Sequence, residues 1–220
     1  MNSLNENLIS SLLEITSTCK IEKLHGDSID NSFLSKIKRY TGAREIQRED
    51  WKTNYKPFFR WDNNDGSCSI SINQNKPIII NKPLGSQKTP DFILIYGKSG
   101  IGFESKSSTH QKITWNSGLP KKYIIYIFNG APPIFSNYPS TTIFMGFDII
   151  TDDEIRILES CRTSMELCVI PFNNKLKNIS SNFSMYPRPM HDSNEQIITN
   201  KNRESREKHV IEYIKDFKWN

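Results

Sequence analysis

The sequence predicts an α/β protein with a central mixed β-sheet flanked by helices. Apolar residues recur at helical spacing near both ends of the chain, and strand-like runs fill the middle from Ser67 to Phe147. After them, Thr151-Asp152-Asp153-Glu154 has the spacing of a helix capping box. With 220 residues, 36% of them hydrophobic, one sizeable core can form, so a single domain over 1–220 with inserted loops is expected.

Taken in order, Leu4, Leu8, Leu12 and Ile15 mark a first helix, and Phe33, Ile37 and Tyr40 a shorter second one. Ser67 to Ile72 alternates polar and apolar groups, and Ile78 to Ile80 is a further apolar run. Phe92 to Tyr96 and Ile101 to Phe103 read as two strands. Gly97-Lys98-Ser99-Gly100 between them reads as a hairpin turn, with glycines where positive φ is easiest. Tyr123 to Phe128 and Thr141 to Phe147 extend the sheet. The capping box starts a helix through Leu158 and Cys161, and Leu167 to Ile170 returns as a strand that Pro171 stops. A last amphipathic helix covers Arg203 to Phe217, with Val210, Ile214 and Phe217 inward. Two stretches look too irregular for core duty: the proline-rich run from Gly130 to Ser140, and Asn173 to Asn194.

A net charge of +5 favours a polyanionic partner. The basic residues gather at Lys36, Lys38 and Arg39, at Lys121 and Lys122, and again at Lys201, Arg203, Arg206 and Lys208. No apolar run approaches a membrane span, and Met1 to Leu13 lacks the basic start and hydrophobic block of a signal peptide. A cytoplasmic protein without a membrane partner is the expectation. Cys19, Cys68, Cys161 and Cys168 form no close pair and have no regularly spaced histidines, so reduced, mostly structural cysteines are expected rather than a zinc site or disulfide framework.

The chemistry concentrates around the expected hairpin. Asp91 precedes its first strand and Glu104-Ser105-Lys106 ends its second, in a stretch that is otherwise almost wholly apolar. A turn centred near Lys98-Ser99 sets Asp91 across from Lys106 or its neighbour, and Glu104 and Lys106, two apart on a strand, share one face. Charges converging at such a place need partners or a metal. Two carboxylates offer the hard oxygen ligands that Mg²⁺ accepts, and a lysine beside the metal can orient an attacking water and offset charge growing on phosphorus. An acid-x-lysine on a strand is also a common solvated edge, but such an edge alternates, and Phe92-Ile93-Leu94-Ile95-Tyr96 does not.

Pro90-Asp91 followed by Glu104-Ser105-Lys106 resembles the PD-(D/E)xK nuclease superfamily, over roughly residues 85 to 130. With the chain length and Trp115-Asn116-Ser117-Gly118-Leu119-Pro120 just beyond, it looks like a type II restriction endonuclease. The resemblance implies a restriction-endonuclease-like core, Asp91 and Glu104 as ligands of Mg²⁺, the Ser105 carbonyl as a further ligand, and Lys106 as the catalytic lysine. It also implies hydrolysis of both strands of a short palindromic duplex site to 5′-phosphate and 3′-hydroxyl ends, a homodimer with one site per subunit, and a cognate DNA methyltransferase as functional counterpart. Related nucleases often carry an acid on an early helix, for which Glu45 is a candidate, with Glu49 or Asp50 as alternatives.

For DNA contact, Asn116 and Ser117 suit phosphates or bases, while Lys121 and Lys122 suit backbone phosphate. Asn178, Asn182, Arg188 and Asn194, in the irregular 173–194 stretch, are candidates for reading bases. His110 reads as structural or phosphate-binding. Two other functions stay open: a structure-specific DNA-repair or junction-resolving nuclease with the same three residues, and a noncatalytic DNA-binding protein.

Overall fold

The structure is a computed structural model that describes residues 3–17, 27–85, 88–109, 111–115, 118–130, 139–186, 190–192, 197–198 and 201–220. Helix α1 (Ser3–Ser17) buries Leu4, Leu8, Leu12 and Ile15, the expected stripe. Helix α2 (Asp27–Thr41) buries Phe33, Leu34 and Ile37 beside it. Tyr40 stays outside this core and its hydroxyl donates to Glu14 Oε2 at 2.6 Å. Strand β1 (Arg44–Ile46) follows, then a short helix α3 (Arg48–Asp50) that continues through a π turn (Trp51–Tyr55) and a 3₁₀ turn (Lys56–Phe58).

The sheet has six strands. Besides β1, these are β2 (Phe59–Trp61), β3 (Cys68–Asn81), β4 (Phe92–Ser108), β6 (Ile124–Gly130) and β7 (Thr141–Met145). Their order is β1-β3-β4-β6-β7, with β2 also paired to β3. Pairing is parallel for β1 with β3 and β4 with β6, and antiparallel for β2 with β3, β3 with β4 and β6 with β7. The expected mixed sheet is therefore present. A separate two-stranded ribbon joins β5 (Thr114–Trp115) to β8 (His191–Asp192). The alternating run at 67–72 and the apolar run at 78–80 turn out to be one strand, β3, joined through register shifts between Ser69 and Ile78.

Strand β4 doubles back on itself. Asp91 and Ser105 lie fourteen residues apart in sequence, yet the Ser105 amide reaches Asp91 Oδ2 at 2.8 Å. Fully extended, that stretch would span roughly 45–50 Å. The rings of Phe92 and Phe103 stack at 5.2 Å, and a Cβ placed on Gly100 would lie 3.1 Å from Ile93. The reversal falls at Gly97, whose φ of +60° is left-handed backbone that glycine adopts without penalty. The first arm pairs with β3, which also takes Ser99 and Gly100 past the reversal, and the second arm from Gly102 pairs with β6, so the hairpin read from the glycines stands, as one folded ribbon at the middle of the sheet.

One face of the sheet is covered by α1, α2 and α5 (Arg203–Asp216). Phe92, Leu94, Ile101, Phe103, Ile125 and Ile127 meet Leu8, Phe33, Val210 and Ile214 there. Phe217, just past α5, packs against the same core. On the other face Ile93 and Ile95 join Trp51, Phe59 and Ile80 in a second cluster, and Tyr126 and Phe128 join Trp115, Phe144, Ile197 and Ile198 in a third.

Two expectations need correction. Leu167 to Ile170 is not a strand: α4 runs unbroken from Asp152 to Asn178, with Pro171 inside it. A four-residue apolar run fits a buried strand or a helix segment equally by periodicity, and the capping box at Thr151 decides it, with Glu154 N–H donating to Thr151 Oγ1. The first part of the supposed irregular stretch, Asn173 to Asn178, is therefore helical. The cysteines are also less structural than expected, because Cys161 and Cys168 are exposed on α4 while Cys68 is partly buried. Cys19, His110 and most of the proline-rich run lie outside the described residues. No described helix is long and apolar enough to cross a membrane.

Candidate active site

The folded β4 ribbon brings Asp91 to the Glu104-Ser105-Lys106 arm. Alternation along each arm sends Phe92 and Phe103 to the helical face, and Asp91, Glu104 and Lys106 to the opposite one. Glu104 sits across the parallel ladder from Tyr126, and Lys106 across from Phe128. Both therefore lie over an apolar floor, where Lys106 Nζ is 5.6 Å from the centre of the Trp115 ring and Trp115 meets Tyr126 edge to face at 5.1 Å. Trp115 thus packs and supports the site.

Glu104 is 4% exposed. Its Oε1 accepts from Lys106 Nζ at 2.7 Å, while Oε2 is buried with no hydrogen-bond partner among the described residues. Leaving a carboxylate oxygen dry and unsatisfied costs about 1–3 kcal/mol or more. Asp91 has one oxygen held by the Ser105 amide. Burial, with the neighbouring charges of Glu104 and Asp30, pushes its carboxyl up to about 7, against the Ser105 hydrogen bond and the Lys106 charge. Burial first, then the charges of Glu104 and Asp91, raises the Tyr126 phenol well above its ordinary value. Its oxygen accepts the Lys121 amide N–H at 2.8 Å. Among the described residues, three acids and one lysine act on one another here, a local surplus of carboxylates.

That surplus suits a hard divalent cation. Among the described residues no group of three or more His, Cys, Asp or Glu side chains is arranged as a ready metal cluster. A cation held here would take the free Glu104 oxygen and Asp91 from the protein and fill its remaining positions from main chain, water or substrate, as Mg²⁺ commonly does. The residues present fit it.

Glu45 is not on a helix. It stands on β1 and pairs with Lys38 at 2.6 Å, and it is not among the charges that bear most on Asp91. Glu49 pairs with Lys52 at 2.7 Å, and Asp50 accepts from Asn54 at 2.7 Å. The helical acid near the site is Asp30 of α2, missed in sequence because its separation from Asp91 is closed only by packing of Phe33 and Leu34 against the sheet. Tyr126 was missed as well. A polar ring among isoleucines was the signal.

Of the expected DNA contacts, Lys121 is half-buried and burial pushes its ammonium down, while Lys122 pairs with Asp152 at 2.6 Å. Asn178 ends α4 and Asn182 lies just beyond it, both exposed. Asn116, Ser117, Arg188 and Asn194 lie outside the described residues. Arg203 and Arg206 do not form an outer basic patch. Both are buried, and the Arg203 guanidinium donates to the carbonyls of Thr141 at 2.7 Å and Pro139 at 3.0 Å. Comparison with family models, with curated proteins and with solved structures gives no match to this chain.

Proposed function

We propose that the protein is a Mg²⁺-dependent deoxyribonuclease with a restriction-endonuclease-like core, acting as a type II restriction enzyme on both strands of a short palindromic duplex site. The observation that carries the reading is the unsatisfied, buried Glu104 oxygen beside an Asp91 whose proton affinity is raised, with Lys106 on the same face. Such a trio is unfavourable for the resting fold, which is common where a site is built for a ligand. Mg²⁺, when bound by Asp91 and Glu104 with the Ser105 carbonyl, supplies Lewis-acid polarisation of the phosphate.

The protein's own groups do the rest. The Ser105 amide fixes Asp91, and the Trp115–Tyr126 pair gives the site an apolar floor. Lys106 exchanges its hold on Glu104 for the attacking water and the charge growing on the phosphoryl oxygens. In-line attack on phosphorus breaks the bond to the 3′ oxygen, leaving 5′-phosphate and 3′-hydroxyl ends. A homodimer then presents one such site to each strand. A cognate methyltransferase protects the host's own sites.

Incubating the purified chain with long duplex DNA, with Mg²⁺ and with chelator, tests this. Discrete reproducible bands that need the metal are expected. Cleavage only of branched or damaged DNA points instead to a repair or junction-resolving nuclease, and binding without cleavage to a noncatalytic DNA-binding protein.

A further inference from the structure

Helix α4 is the least explained part of the molecule. It is 27 residues long and buries none of them. At 1.5 Å per residue that is about 40 Å of helix. A solvated helix of this length is ordinarily polar or lays an apolar stripe on something. Here Leu158, Cys161, Met165, Cys168 and Phe172 recur at three- and four-residue steps, followed by Lys175 and by Ile179 at the helix cap. This is the spacing of a coiled-coil seam. Phe172 is 54% exposed and Ile179 75%.

The segment after α4 widens that surface. The Asn173 side chain brackets Met185, donating to its carbonyl at 2.8 Å and accepting from its amide at 2.7 Å. The chain is thereby folded back along the helix, with Phe183 and Tyr186 left 82% and 77% exposed. Phe172, Phe183 and Tyr186 together offer on the order of 400 Å² of aromatic surface. That is already about half of the ~800 Å² per partner that a stable interface buries.

We propose that this surface pairs with a second copy of itself, the two α4 helices running antiparallel about Met165, the middle of α4. Charge selects the direction. Asp152, Asp153 and Glu154 occupy the first turn, and Lys175 and Lys177 the last. Antiparallel pairing sets each acidic end beside the partner's basic end and opposes the helix dipoles, whereas parallel pairing sets acid on acid. Nucleic acid is the poorer occupant, since the stripe is apolar and the first turn acidic. This inference stands on α4 alone and does not depend on the chemistry at Glu104.

The test is mass in solution, by size exclusion with light scattering on the full chain over a wide concentration range. The wild type should be a dimer. Met165→Asp and Phe172→Asp, both at exposed positions, should each weaken self-association at least about thirtyfold, with helical circular dichroism unchanged. A short bismaleimide reagent on mixed isotope-labelled and unlabelled copies should link Cys161 of one copy to Cys168 of the other. Cys161→Ser and Cys168→Ser should each abolish that link. A wild-type chain that stays monomeric, or a dimer that survives both aspartate substitutions, would overturn the proposal. Efficient Cys161–Cys161 linking in Cys168→Ser would overturn the antiparallel arrangement.

Discussion

At the scale of single residues, Asp91 gives the sharpest test. An acid raised from its ordinary value near 4 to about 7 binds its proton more tightly folded than unfolded. Its contribution to stability therefore falls as pH rises between those values and is fully lost above about 7. Asp91→Asn removes the charge that burial opposes. Thermal unfolding in the absence of metal should show the variant more stable than wild type at pH 8 and close to it at pH 4. Mg²⁺ should raise the wild-type midpoint at pH 8 and leave that of the variant unmoved. A variant less stable at pH 8 would count against the acid cluster as described. Lys106→Ala takes the cation from buried Glu104 and so lowers stability in the absence of metal, and the folded variant should lose kcat by about 10²–10³, the loss typical of removing one donor to a developing oxyanion. Near-normal single-turnover cleavage by the folded variant would remove Lys106 from the chemistry. Asp91, Glu104 and Lys106 were legible in sequence because charge stands out in an apolar run. Asp30 was not, since it reaches the site only once α2 is packed, and one chain carries no sign of that approach.

At the scale of elements, the same contrast separates β4 from α4. The turn in β4 was readable because glycine is the residue that a left-handed backbone selects, and Gly97 has that conformation. Its surroundings were not readable. The last residue of the chain docks on the turn, with the Lys98 amide donating to the Asn220 carbonyl. Trp219 packs near Tyr96 and donates to Asn5. Gly97→Ala should therefore cost about 1–2 kcal/mol from backbone strain alone, with more because a Cβ there meets the Asn220 carbonyl. Chemical denaturation would measure it. A loss below half that range would mean that the turn relaxes freely. In α4, by contrast, the capping box was visible but the length was not. Leu167 to Ile170 and Pro171 mimic a strand and its stop, but among the described residues no strand pairs with them, and the helix continues through them.

At the scale of the whole molecule, composition counts charges but not their partners. The basic groups that suggested a polyanion include Arg203 and Arg206, which are buried, and Lys38 and Lys122, which are ion-paired with Glu45 and Asp152. The clustering of basic residues in the sequence therefore overstates the basic surface available to a polyanion. On the proposed function, cutting both strands with few phosphate contacts depends on holding two sites on one duplex, and the proposed α4 pairing would supply that hold. Among the described residues each chain carries one such acid-lysine cluster, so a monomer would hydrolyse one strand per encounter. Phe172→Asp should accordingly turn supercoiled plasmid into the nicked circle first, with the linear form following only slowly or at high protein concentration. The wild type should give the linear form directly. The substitution leaves Glu104, Asp91 and Lys106 untouched, so the rate of single nicks on a short duplex should stay within about threefold of wild type at fixed salt. Linear product formed directly by a demonstrably monomeric Phe172→Asp protein would mean that one chain serves both strands in turn, and that pairing through α4, where it occurs, has another purpose.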